Sequence, residues 1–244
     1  MNGTPGEALS FLAEMKDRGS RETDADLVFF PPFTLLPLLA ESGKEAGIEL
    51  GGQDLFWMDR GAYTGEISPG MLMDAGAGWF IAGHSERRHV IGETDDVVRK
   101  KLEKGLESGL KGILCVGELV DQRERGLTEK VVRRQLESAL DGLDIADASN
   151  LVVAYEPVWA IGTGLTATPD EAQRMHSLIR EWVGEIGGGN VSPEELRILY
   201  GGSVKPGNAA DILSKTQVNG ALVGGASLRA ESFSAIVTSI PAEG

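Results

Sequence analysis

The feature that most constrains this chain is an alternation of short apolar runs with longer amphipathic stretches. Leu27 to Phe30, Ile48 to Gln53, Trp79 to Gly83, Gly112 to Val116, Leu151 to Tyr155, Arg197 to Tyr200 and Gly220 to Val223 read as strands. Thr34 to Ala46, Asp95 to Ser108, Thr128 to Leu143, Pro169 to Ile186, Asn208 to Leu213 and Ser227 to Val237 read as helices. A further helix precedes the first strand. Thr4-Pro5-Gly6-Glu7 has the form of a capping box with proline at the first helical position, and Ala8, Phe11, Leu12 and Met15 form its apolar stripe. Repeated strand–helix units over 244 residues, undivided by any linker or low-complexity tract, specify an α/β fold spanning 1–244 as one domain. It is either a (β/α) barrel or a doubly wound sheet.

The strand ends favour the barrel. Polar or glycine-rich residues follow nearly every strand: Gln53-Asp54, His84-Ser85-Glu86, Gly117-Glu118, Glu156, Gly201-Gly202-Ser203 and Gly224-Gly225. In a barrel they all meet at the C-terminal face, where such enzymes keep their sites. In an open sheet only those near the switch point converge. The last two clusters follow the final two strands, a common place for phosphate in barrels.

Composition narrows the partners. A hydrophobic content of 41% supports one large core, and no apolar run is long enough to span a membrane. The start, Met1-Asn2-Gly3-Thr4, carries no basic and apolar signal region, and the single cysteine allows no internal disulfide, so a cytoplasmic location is expected. The Asn2-Gly3-Thr4 and Asn190-Val191-Ser192 triplets therefore carry no glycosylation meaning. A net charge of -14 opposes binding to nucleic acid or an acidic membrane. It does not oppose a small anion held by backbone N–H groups.

The stretch Ala154 to Gly164 stands out. Its strand ends in one carboxylate, Glu156, and Pro157 stops the ladder. Val158, Trp159, Ala160 and Ile161 make an apolar tip backed by Gly162 and Gly164, and Thr168-Pro169-Asp170-Glu171 opens the next helix as a second capping box. A carboxylate under an apolar, glycine-hinged loop suits a general base beneath a lid. The Gly162 to Ala167 stretch is also a loose dinucleotide fingerprint, but Pro157 to Ile161 separate it from the strand.

This stretch, with Gly61-Ala62-Tyr63-Thr64-Gly65-Glu66-Ile67-Ser68, Gly83 to Arg88, Cys115 to Glu118, Tyr200 to Val204 and Leu222 to Leu228, resembles the triosephosphate isomerase family in order and over nearly the whole chain. The resemblance implies a (β/α)8 barrel. It implies a homodimer, needing no metal or cofactor, that interconverts dihydroxyacetone phosphate and D-glyceraldehyde 3-phosphate in glycolysis and gluconeogenesis. Glu156 would be the base and His84 the electrophile, kept neutral by the helix start that follows it. Gly162, Ser203, Gly224 and Gly225 would hold the phosphate. Glu118 and Trp159 match an open-lid pair, Tyr200 and Ser203 match residues that bond the closed lid near Ala167 and Gly164, and Thr64 matches a tip that reaches the neighbouring subunit. Cys115 matches a buried strand cysteine and reads as packing, while His89 and His176 are given no role.

One departure bears on activity. The family's first strand ends in Asn-Trp-Lys directly before Met-Asn-Gly, and this chain begins at Met1-Asn2-Gly3. A start codon called late is the favoured reading; a true truncation would leave unpaired edges at the Leu27 and Gly220 strands. Glu86, which matches the lysine's neighbour, is then expected in a partly buried cleft without its partner. The competing readings are a truncated, non-catalytic phosphate-binding barrel and another barrel enzyme acting on a phosphorylated metabolite.

Overall fold

A computed structural model describes residues 1–145, 148–161, 166–186 and 191–241. The strands are β1 (Val28–Phe29), β2 (Glu49–Gly52), β3 (Trp79–Ala82), β4 (Lys111–Val116), β5 (Leu151–Tyr155), β6 (Arg197–Tyr200) and β7 (Gly220–Ala221). They form one sheet in sequential order, and every neighbouring pair is parallel. The helices are α1 (Pro5–Asp17), α2 (Leu36–Ala46), α3 (Pro69–Asp74), α4 (Asp95–Glu107), α5 (Val120–Glu124), α6 (Thr128–Leu140), α7 (Pro169–Ile186), α8 (Ala209–Leu213) and α9 (Ala230–Val237).

The sheet curls. Trp79, Ile81, Ile113, Cys115, Val152 and Ala154 form an interior cluster, and Val28, Phe30, Leu199 and Leu222 pack against it. Residues of the first and last strand regions thus share one interior, which a flat sheet cannot arrange. Arg197 at the foot of β6 also pairs with Asp26, just before β1, at 2.5 Å. The alternate residues of each strand face outward to a larger layer between sheet and helices. There Phe80 is fully buried, with Gly105 of α4 and Gly112 of β4 leaving room for its ring: a Cβ on either would stand 2.3 or 2.9 Å from it.

Among the described residues β1 and β7 pair with β2 and β6 respectively and not with each other, leaving the two expected open edges. The helix layer nonetheless closes over that point. Phe11 of α1 stacks on Phe29 of β1 at 4.9 Å between centroids and meets Phe233 of α9 at 6.1 Å. Both capping boxes form: Glu7 accepts from the Thr4 N–H at 2.8 Å, and Glu171 accepts from the Thr168 N–H at 2.8 Å.

Three differences from the sequence reading have local causes. α3 and α5 are too short, at 6 and 5 residues, to show a helical period. The turn expected to open at Ser85 is a π-helical segment over Arg87–Ile91 that buries none of its residues. The last helix splits into a 3₁₀ turn, Gly225–Leu228, and α9, with Arg229 extended between them.

Candidate active site

Glu156 follows β5 directly and keeps the sheet's bonding for one more step. Its N–H donates to the Val116 carbonyl at 2.8 Å, and the Gly201 N–H donates to the Tyr155 carbonyl at 2.7 Å. Glycines just past both neighbouring strands make space for it. A Cβ at Gly117 would stand 1.7 Å from the Glu156 carbonyl oxygen, and one at Gly201 would stand 2.8 Å from its Cγ. Gly117 thus admits the Glu156 backbone and Gly201 the base of its side chain.

Glu156 is 2% exposed. Its carboxylate accepts from the Ser85 N–H at 2.8 Å and the Ser85 hydroxyl at 3.4 Å, and His84 Nε2 lies 3.1 Å from Oε1. Burial pushes the Glu156 carboxyl above the ordinary value; His84, Ser85 and Cys115 oppose the rise without cancelling it. The imidazole's proton can be placed. Nδ1 of His84 accepts from the Glu86 N–H at 3.3 Å, so in the neutral ring the proton sits on Nε2, facing Glu156.

The loop carrying His84 is fastened from below. Arg87 donates to Asp54 at 2.8 Å and to Glu93 at 2.7 Å, and Lys101 of α4 bonds both Asp54 oxygens at 2.7 Å and Glu93 at 2.5 Å. Arg88 donates to the Gly83 carbonyl at 2.8 Å and to Asp95 at 2.6 Å. Read in sequence, Arg87 and Arg88 were only a helix start; their partners lie on other elements, so no local pattern could reveal them.

Glu118 is fully buried after β4. It accepts from the Tyr155 hydroxyl at 3.1 and 3.2 Å and from Trp159 Nε1 at 2.9 Å, and burial raises its pKa against those bonds. Tyr200, also buried, accepts from the Ala167 N–H at 3.3 Å. The contact expected of an open lid and one expected of a closed lid thus occur together. Gly162, and the Gly164 contact expected of Ser203, lie outside the described residues.

Ser203 is half-buried, and its carbonyl accepts from Asn208 at 2.9 Å, which fixes the turn after β6. Gly224 and Gly225 are exposed, with open space where a Cβ would stand. Thr64 sits in an exposed loop, and Cys115 is buried with its thiol pKa raised by burial. One expectation is corrected: Glu86 is exposed rather than sunk in a cleft, because its turn of chain buries no residue. The sequence reading also passed over Ser85 as a partner of Glu156. The only signal was its place between His84 and Glu86.

A curled parallel sheet with a buried carboxylate and an imidazole paired at its C-terminal strand ends defines a barrel-type α/β enzyme. A family model described as triosephosphate isomerase matches residues 1–240, and the chain belongs to that family. It is similar to the triosephosphate isomerase of Geobacter metallireducens, 48% identical over 95% of this chain and 92% of the relative. The corresponding protein of Citrifermentans bemidjiense is 48% identical over 96% and 93%. That of Nitratidesulfovibrio vulgaris (strain Miyazaki F) is 49% identical over 97% and 95%.

Proposed function

We propose that the chain interconverts dihydroxyacetone phosphate and D-glyceraldehyde 3-phosphate through an enediolate, with Glu156 as base and His84 as electrophile. The buried Glu156 carboxylate beside the Nε2–H of His84 carries this reading. Moving a carbonyl between adjacent carbons requires a proton to leave one carbon and arrive at its neighbour. Glu156, turned away from Ser85, takes the first proton; the raised pKa strengthens it as a base and lets it hold that proton. The Nε2–H of His84 donates to the carbonyl oxygen as negative charge grows there. Transfer of the hydroxyl proton from one enediolate oxygen to the other, with return of the carbon-bound proton to the neighbouring carbon, completes the reaction.

The phosphate would lie over Gly162, Ser203, Gly224 and Gly225, where the three glycines let backbone N–H groups approach. The segment after Glu156 would cover the site and exclude water, with Glu118, Trp159 and Tyr200 bracing its ends. A homodimer would form through the loops after β2 and β3. These expose Tyr63, Thr64 and Met58, with Val90 at 78% and Ile91 at 65% exposure. No helix among the described residues is long and apolar enough to cross a membrane. With one cysteine, the enzyme would work in the reducing cytoplasm.

The test is turnover by the purified chain. Incubated with dihydroxyacetone phosphate, it should yield glyceraldehyde 3-phosphate by NMR. Binding of inorganic phosphate without turnover, or a different product, would overturn the proposal.

A further inference from the structure

Arg123, near the end of α5, touches both ends of the segment that follows Glu156. Its guanidinium carbon lies 3.9 Å from the centre of the Trp159 ring. One of its nitrogens donates to Glu171 Oε1 at 2.6 Å. The other oxygen of Glu171 accepts from the Thr168 N–H at 2.8 Å and the Thr168 hydroxyl at 3.0 Å. Trp159 is also hydrogen-bonded to Glu118, on the loop that leads into α5. One planar cation therefore stacks on the leading end, over 157–161, and holds through a carboxylate the trailing end, over 166–171.

We propose that Arg123 is a positioning residue that couples these two ends, so that they order and release together. This rests on the reading of the segment as the cover of the site. Arginine suits the task because its flat guanidinium stacks on indole while its edge bonds a carboxylate. Lysine can do the second and not the first with the same geometry.

The chemical consequence is a choice between two fates of the enediolate. With the cover held, the intermediate is reprotonated. With it loose, the electron pair of the enediolate expels phosphate: the C–O bond to phosphate breaks, its electrons leave on inorganic phosphate, and the remaining enol tautomerises to methylglyoxal. The elimination needs no oxidant or reductant.

Amide hydrogen exchange of the full chain reads the coupling without reference to activity. In Arg123→Gln, exchange at Ala160, Ile161 and Ala167 should rise together, by roughly three- to tenfold. In Arg123→Lys, the ion pair to Glu171 survives, so the rise should be confined to Ala160 and Ile161. Activity supplies the second readout. Methylglyoxal formed per isomerisation should increase at least about threefold in Arg123→Gln, with partial rescue in Arg123→Lys. Unchanged exchange at either end in Arg123→Gln, with the melting temperature retained, would overturn the coupling. A wild type that shows the coupling yet turns over no triose phosphate would instead overturn the isomerase reading and leave the coupling supported.

Discussion

At the residue scale the site depends on one buried carboxylate and the space around it. Because burial raises the pKa of Glu156 and the base must be ionised, kcat/KM should fall with decreasing pH along a limb centred above 4.5. A pH profile with that limb at or below 4.5 would show that burial does not govern the base. Gly201 gives a steric test. A methyl group there would press on Glu156 Cγ from 2.8 Å. Gly201→Ala should therefore lower kcat by on the order of 100-fold while circular dichroism stays native. Of these features, the sequence revealed Glu156 and His84 because both end apolar runs. It did not reveal that Gly117 and Gly201 make room for Glu156, since the three residues follow different strands and meet only where the strand ends lie side by side.

At the element scale, the loop after β3 is held by charges drawn from three elements. Asp54 follows β2, Arg87 and Glu93 belong to the loop, and Lys101 lies in α4. Lys101 and the two carboxylates are nearly inaccessible. Lys101→Met would leave Asp54 and Glu93 as buried carboxylates sharing only Arg87. Breaking such a pair costs roughly 3–5 kcal/mol, and urea unfolding should show a loss of that order. A loss below about 1 kcal/mol would place the pair with weak surface bridges. Elements with long periods or caps, such as α1 and α7, were legible in advance. α3, α5 and the π-helical turn were not, because they are short and held by tertiary contacts.

At the scale of the whole molecule, the fold and its two open strand edges followed from strand order and strand ends, whereas the packing of the helix layer over those edges did not. The helix layer meets over β1 through Phe11 and Phe233, while the sheet's first and last strands keep separate edges. Global stability carries a pH signature. His176 of α7 is fully buried; its Nδ1 meets the Gln217 carbonyl at 3.1 Å, and its Nε2 has no partner among the described residues. Burial chiefly lowers its pKa from 6.5 to about 4. The unfolded chain therefore binds this proton first as pH falls, so stability declines between 6.5 and about 4 and this contribution levels off below. The drop from this group is about 3 kcal/mol. His176→Asn, which keeps a donor toward Gln217, should lose correspondingly less stability on going from neutral pH to pH about 4. Parallel pH dependence in the two proteins would contradict the assignment.

The central claim is that Glu156 moves the proton. Its most direct test is isomerisation of D-glyceraldehyde 3-phosphate in D2O, followed by NMR, for the wild-type chain and Glu156→Asp. The shorter side chain withdraws the carboxylate by roughly 1 Å, which costs on the order of 100-fold when geometry governs proton transfer. The expected result is deuterium at the carbon next to the carbonyl with the wild type, and a loss of that size in kcat with KM little changed in Glu156→Asp. Wild-type kcat in Glu156→Asp would contradict it.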